Sequence, residues 1–430
     1  MELSKRTFLK ASGATTVAAL AGCLGDDDDD GRTFWAGWWD EDHLEDFRPE
    51  FESELEEETG QEWELTEYQY DDLQSNVLTG GNTGTPDLLE GVLEHPGDYV
   101  AADAIEPLTD HVQDFDHFDG YLDAAIDAFE FQGELWGLPL AGGNGRALVY
   151  RTDILAEYGY EDGPPEDLDE LVELAGEINA NEDMNGLHLT TEHGEVRATQ
   201  EFLSHVYQRT GNIYEYDGDE WVLQATADDF EIVLDTLYYN LFHGDEPMAD
   251  DDYRGAGWET NDEGYSMGDH AMIHCGPWIQ QDADSSDEQA EVIEENTGIA
   301  ELPVIDGGER ATYMEVSPVM INAHTDDLDA SLEALELFTS PEMMQRFEDA
   351  DPATNAPTHD SLEVEHDLEA FETFEDAFEN GVAPAQIQWG EVRTPMYDAI
   401  EEVIYDETDP ATAAEELEAA LSEADVQLEA

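Results

Sequence analysis

The sequence predicts an α/β protein, and three observations carry that prediction. Short runs of alternating or continuously apolar residues recur along the chain, separated by stretches whose apolar residues stand three and four apart. The order is strand, helix, strand from the first such run onward, which favours a mostly parallel sheet with helices on its faces. The chain has 430 residues, enough for about two domains.

"RTFWAGWW", from Arg32, is the first predicted strand, and it ends in the loop "WWDEDH". Leu44, Phe47, Phe51 and Leu55 follow at helical spacing, and that helix stops near Thr59 and Gly60. "EWELTEYQY" alternates as a second strand, and "TPDLLEGV" is a short, buried third. "FQGELWGLPLAGGNGRALVYRTDIL" carries strands around a glycine-rich turn. Leu168, Leu171, Val172, Ala175 and Ile178 form the stripe of the next helix, and Val233, Leu234, Leu237 and Leu241 that of another. "AMIHCG" and "IAELPVI" are further strands. Ser340 before Pro341 reads as an N-cap and first helical position. "ATAAEELEAAL" closes the series as an amphipathic helix.

Lys and Arg number 13 against 110 Asp and Glu, a formal net charge of -97. Self-repulsion on that scale destabilises a compact chain at low ionic strength. At molar salt the Debye length falls to about 3 Å, and the repulsion is screened. Hydrophobic residues make up 40%, with 9 Trp and 16 Phe, so this is not a disordered acidic chain. The composition describes a folded protein adapted to high salt. It argues against nucleic acid and anionic lipid surfaces as partners. Where acids are everywhere, the few basic residues carry more information about a site.

The segment before residue 32 has a different character. "SKRTFLK" is a basic start, "ASGATTVAALAG" a short apolar run, and small residues precede Cys23. That order is the layout of an export signal. The apolar run is too short, and too rich in Ala, Gly and Thr, for a transmembrane helix. Lys5 and Arg6 ahead of "TFLK" resemble a twin-arginine signal with Lys in place of the first Arg, which leaves the Sec route open. "LAGC", Leu20 to Cys23, resembles a lipobox, which implies cleavage before Cys23 and lipid on its sulfur. Asp26 to Asp30 then form a solvated tether. Cys23 and Cys275 are the only cysteines, so a lipidated Cys23 leaves no internal disulfide.

Several segments, in order, resemble the extracellular solute-binding proteins of ABC importers, in particular the sugar-binding family that includes maltose-binding protein. "TPDLLEG" is similar to the family's Pro-Asp strand, and "GPPEDLDELVELAGEI" to its "PP-x-TWDEL" helix, with Asp167 and Leu168 in place of Thr-Trp. "FQGELWGLPLAGGNGRALVYRTDIL" resembles its "NGK-aromatic-x-x-P … YNKDLL" stretch. "YSMGDHAMIHCGPW" resembles its "F-x-x-GK-x-AM-x-x-x-GPW" segment, with Asp269 replacing Lys. "ELPVIDGGERATYMEVSPVMINAHT" and "IQWGEVRTPMYDAI" match later segments, the second with Trp389 and Arg393 in place. The likeness spans nearly all of residues 33–421.

The resemblance implies two α/β lobes, each a mostly parallel sheet flanked by helices, with ligand held between them. Lobe 1 is expected over 32–141 and 302–339, and lobe 2 over 142–301 and 340–430, after a signal at 1–22 and a tether at 23–31. It implies a lipid-anchored extracellular monomer that closes on a sugar or oligosaccharide and delivers it to a membrane permease. No cofactor, metal or catalytic residue is expected. Two other readings stand beside it: the same fold binding a polyol, glycerol phosphate or other anion through Arg146 and Arg393, or a secreted glycoside hydrolase with paired carboxylates.

Sugars need aromatic faces with planar donors and acceptors at their edges. Trp278, after Gly276-Pro277 at a strand end, and Trp389, in a non-periodic segment, are candidate platforms, against core positions for both. Of Trp38 and Trp39, at most one can point to ligand from an extended chain. Asp40 is a candidate acceptor or a solvated acid. Arg146 and Asn144, beside the glycines of "AGGNG", and Arg393 are candidate donors, the arginines alternatively forming salt bridges. Tyr313 is a candidate aromatic contact or a core tyrosine. His270 and His274, four apart, share a face on which zinc is a minor alternative. "NEDMNGLHLTTE", Asn181 to Glu192, has calcium-loop spacing, but Asn opens it and a strand-like run follows.

The mature protein is expected to begin at Cys23 and to fractionate with membranes. The intact mass of the native protein should lack residues 1–22 and carry a lipid increment, and Cys23→Ser should release it to the medium. A native protein of unlipidated mass would contradict this.

Overall fold

The structure is a computed structural model that describes residues 31–37, 44, 47–68, 70–80, 83–218, 220–350, 356–363 and 369–428. Strand β1 (Arg32–Ala36), helix α1 (Phe47–Thr59), strand β2 (Trp63–Glu67), helix α2 (Tyr70–Gly80), strand β3 (Leu88–Glu90) and helix α3 (His95–Ala101) open the fold. Strands β4 (Leu138–Gly145) and β5 (Ala147–Arg151) and helices α4 (Leu168–Asn181) and α5 (Val196–Thr210) follow. Then come β6 (Met272–Cys275), β7 (Thr297–Glu301) and β8 (Thr312–Ile321). Helices α6 (Leu328–Phe338), α7 (Pro341–Ala350), α8 (Gly390–Ile404) and α9 (Pro410–Glu423) complete it.

Local chemistry explains the element ends. Phe47, Phe51 and Leu55 are the buried stripe of α1. Asp167 caps α4 by accepting from the Glu170 amide at 3.1 Å. Asp409 caps α9 in the same way, with Pro410 in the first turn.

Lobe 1 is built on a sheet in the order β2–β1–β3–β8–β4, with short strands Ala356–Pro357 beside β4 and Gly381–Val382 beside β8. β1 runs parallel to β2 and β3, and β8 antiparallel to β3 and β4. One face packs Phe34, Phe51, Phe338 and Phe347 into a single cluster. The other face holds Leu89, Tyr99, Phe131 and Met320. Lobe 2 centres on β6–β5–β7. Leu148, Leu171, Phe202, Phe230 and Leu417 cluster on one side of it, and Val149, Ile273 and Ile279 on the other.

The two-lobed α/β class is as expected, with three corrections in detail. In lobe 2 both β6 and β7 pair antiparallel with β5, and its parallel contacts are single bridges such as Asn185 to His270 and His188 to Ile273. The lobe boundary expected at residue 340 lies later. Met343, Met344 and Phe347 of α7 join the lobe 1 core, because their apolar stripe continues the one α6 buries. The glycine-rich stretch "AGGNG" lies in strand β4 and not in a turn. Its glycines answer to packing: a Cβ on Gly143 would lie 2.5 Å from the Phe378 ring, and one on Gly145 2.6 Å from the Ala377 backbone.

Four histidines are fully buried in lobe 2. His270 stacks on His188, with ring centroids 4.9 Å apart, and His274 lies 5.2 Å from His205. The two residues of the zinc-like pair thus each meet a different histidine. Burial pushes His188 and His205 down to about 4 and His270 down to about 3. The segment with calcium-loop spacing is committed elsewhere too. The Asn185 amide meets His270 at 2.9 Å, and its oxygen accepts from the Asp250 amide at 2.7 Å. Below pH ~6.5 the unfolded chain protonates these histidines while the folded chain resists, so they make stability fall as pH drops. Relative to His205→Gln, the wild type should lose about 3 kcal/mol between pH 7 and 4. Parallel denaturant curves in molar salt check this, and a constant difference across that range would contradict it.

Candidate functional site

The candidate crevice is the place where the chain crosses between the lobes, past the carboxyl end of β3, the position at which open α/β sheets hold ligands. The crossing strands are tied to one another. The Arg146 amide donates to the Tyr313 carbonyl at 3.2 Å, the Thr312 hydroxyl donates to the Arg146 carbonyl at 2.7 Å, and Thr312 and Tyr313 pair with Gly381 and Val382. Helix Thr373–Glu379 straddles the junction, with Phe374 and Ala377 in a lobe 2 cluster and Phe378 in lobe 1.

Lobe 1 contributes Glu94 and His95 from the turn into α3, both fully buried. Lobe 2 contributes α5, whose residues Arg197, Gln200, Glu201, Ser204 and His205 are all buried. The Tyr207 and Tyr313 rings stack, with centroids 6.4 Å apart. Both oxygens of Glu94, the hydroxyls of Tyr207 and Tyr313, Nε and Nη1 of Arg146, Nε2 of Gln200 and Oε1 of Gln386 are buried without a hydrogen-bond partner of good geometry. Buried polar groups are normally paired, so unpaired ones in contact with one another call for a partner such as water or a bound molecule. Burial pushes the Glu94 carboxyl up, against the pull of Arg393.

Ion pairs frame this cluster. The Arg146 guanidinium bonds Gln200 and pairs with Glu315 at 2.8 Å, and it lies over the Trp278 ring, 4.6 Å from its centroid. Arg197 pairs with Glu201 and Asp262, each at 2.8 Å, and Asp262 also accepts from Trp278 Nε1 at 3.0 Å. Burial raises Glu201 to about 7, with Arg197 opposing. Arg393 of α8 reaches lobe 1, donating to Gln74 at 3.0 Å and standing 3.9 Å from Asp98.

A crevice walled by polar groups from both lobes, beside a three-stranded junction, can be set against known proteins. The sequence matches the family model of bacterial extracellular solute-binding proteins over residues 51–363. The chain belongs to this family. Its fold is similar to that of a maltose-bound MalE3 from T. maritima, with 20% identity and a TM-score of 0.76 over 91% of this chain and 98% of that one. The GacH receptor of Streptomyces glaucescens, solved unliganded and with acarbose, aligns at 20% identity and a TM-score of 0.75 over 91% and 97%. A Thermus thermophilus maltotriose binding protein aligns at 20% identity and a TM-score of 0.73 over 91% and 99%. Identities this low establish the shared fold. Comparison with curated protein sequences gives no match.

In this solute-binding protein, several residues singled out from the sequence lie in contact with one another. Arg146 touches Trp278 and Tyr313, and the Tyr313 hydroxyl faces Glu94, which feels the charge of Arg393. Asn144, opposite Glu315 in the sheet, has a buried side-chain oxygen with no partner. Both arginines also form the salt bridges weighed against ligand contact. Trp278 is half-buried, with Arg146 on its ring and a close approach to Gly276, where a Cβ would fall 2.0 Å from the indole. Trp38, Trp39, Asp40 and Cys23 lie outside the described residues.

Trp389, like Tyr207 and Tyr313, lies in the buried lobe 2 cluster, the core position weighed for it. It is 0% exposed and packs in the lobe 2 core with Ile387, Val392 and Met396, its Nε1 donating to the Ala385 carbonyl at 2.8 Å. The chain turns inward there because Gly97 of α3 leaves room for Ile387, whose carbonyl would lie 2.0 Å from a Cβ. Sequence reasoning missed Glu94, Tyr207 and the whole of α5. The available signal was in "VRATQEFLSHVYQRT", where Arg197 is one of few basic residues in an acidic chain. Among the described residues, the side chains that meet in a metal-ligating group are His193, Asp398 and Glu401, all exposed.

Trp389→Ala should lose about 3–5 kcal/mol of stability, as fully buried aromatics do. The melting temperature in molar salt measures it. An unchanged value would remove Trp389 from the core.

Proposed function

We propose that this solute-binding protein captures a sugar or oligosaccharide between its lobes, outside the cell, and hands it to an ABC permease. The observation that carries the reading is a buried set of donors and acceptors from both lobes that protein groups leave incompletely paired: Glu94 and Tyr313, which face each other, with Tyr207, Arg146, Gln200 and Gln386. A molecule with many hydroxyls, each both donor and acceptor, suits such a mixed set. Glu94 favours hydroxyl donors over an anion, and Arg146 and Arg393 already face carboxylates. That weighs against the anion reading. Trp278 holds the Arg146 guanidinium in place, which leaves Nε and Nη1 without a protein partner and available to a ligand. The structures it resembles, named for maltose, maltotriose and acarbose, support the same class. The "LAGC" run supports a lipid anchor at Cys23. Among the described residues no helix is long and apolar enough to cross a membrane.

Calorimetric titration with maltose and maltotriose in molar potassium chloride tests the proposal. Binding should saturate at one site, and the sugar should be recovered unchanged. Glu94→Gln should weaken binding about tenfold or more, as loss of a charge-assisted acceptor does, while the protein still melts cooperatively. Failure of a panel of neutral sugars to bind, or hydrolysis of any of them, would overturn it.

A further inference from the structure

The segment after α9 passes from one lobe to the other. Val426 is buried in the lobe 2 core, 2% exposed. Gln427 grips the backbone of Trp221: its Oε1 accepts from the Trp221 amide at 2.9 Å, and its Nε2 donates to the Trp221 carbonyl at 3.0 Å. Gln388 Nε2 donates to the Asp425 and Gln427 carbonyls at 3.1 and 2.7 Å. Through residue 427 the segment is therefore fixed to lobe 2. The next residue is on lobe 1. The Leu428 side chain packs against the cluster of Leu89, Tyr99 and Phe131, and its carbonyl accepts from Gln132 Nε2 at 3.3 Å.

Trp35 and Tyr68 pack against that same cluster. They stand at the carboxyl ends of β1 and β2, the end on which the crevice opens. The Leu428 contact thus joins the lobes by a route of its own, using none of the crossing strands and none of the incompletely paired polar groups.

We propose that Ala424–Leu428 is a strap that holds the two lobes closed on each other. Opening must detach it at one end. Releasing it from lobe 2 breaks two hydrogen bonds to Trp221 and exposes Val426. Releasing it from lobe 1 breaks one exposed hydrogen bond and a partly buried leucine contact. The Leu428 end is the one that gives. A contact made only in the closed arrangement shifts the population toward it, and any ligand that needs closure then binds more tightly. The effect on sugar affinity rests on the proposed function, whereas the effect on lobe closure does not.

The test compares the full mature chain with its Leu428→Ala/Gln132→Ala variant in molar potassium chloride. Small-angle scattering without added sugar should give the variant a larger radius of gyration. Maltotriose affinity should fall about threefold to tenfold, through faster dissociation. The melting temperature should hold, because Val426 and Gln427 are untouched. An unchanged radius of gyration overturns the strap, whatever happens to affinity. A wild type that binds no maltotriose counts against the sugar reading alone, since the scattering comparison still decides the strap.

Discussion

Arg146 stands at the crossing between the two lobes and ties its strands together. Its backbone stands between β4 of lobe 1 and β5 of lobe 2 and is bonded to Thr312 and Tyr313 on the returning strand. Its guanidinium reaches Glu315 on the lobe 1 sheet and Gln200 on α5, and lies on Trp278. Removing one partner of a buried ion pair leaves a charge uncompensated, at a cost of about 3–5 kcal/mol. The crossing, the aromatic wall and the polar floor therefore hold one arrangement together. The neighbouring glycine is part of it, because any side chain at residue 145 would push helix Thr373–Glu379 away from the junction.

The acid excess sharpens the part played by cations. Beyond residue 10 the sequence contains no lysine, so every later positive side chain is Arg, apart from any charged histidine. A guanidinium is weakly hydrated and makes two directed bonds at once, so it survives burial among carboxylates. Arg146, Arg197 and Arg393 are the buried ones, and all three border the candidate crevice. Each is matched to carboxylates or amides from a different segment: Glu315 and Gln200, Glu201 and Asp262, Gln74 and Asp98. The surface carboxylates deal with salt, whereas these three groups deal with architecture.

Much of the fold was legible because apolar periodicity is indifferent to the acid background. Phe47, Phe51 and Leu55 mark α1, and Pro341 after Ser340 marks the start of α7. Arg146 was legible through scarcity. Glu94 was not, since one carboxylate among 110 acids has no distinguishing pattern. Helix α5 was not, because polar residues on every face suggest exposure, whereas here lobe 2, the crossing strands and the ion pairs enclose it. Trp389 was open to two readings for the opposite reason. A tryptophan beside a glycine in an aperiodic segment looks available, and only the approach of α3 at Gly97 turns that segment into core. The AGGNG stretch misled likewise, because glycine permits a turn and a tight strand contact equally.

On the proposed function, closure and recognition draw on the same groups. Glu94 comes from lobe 1, Tyr207 and Gln200 from lobe 2, and Tyr313 and Arg146 from the strands between them. A polar guest that satisfies Glu94 and Tyr207 together makes both contacts only when the walls meet. Its binding energy therefore goes selectively to the closed arrangement, which is the condition for a ligand to shift a conformational equilibrium at all. Burial strengthens the coupling. Burial pushes the Glu94 carboxyl up, and hydrogen-bond donors supplied in place of water would ease it. The unpaired groups thus oppose closure of an empty crevice, and the same groups favour closure of a filled one.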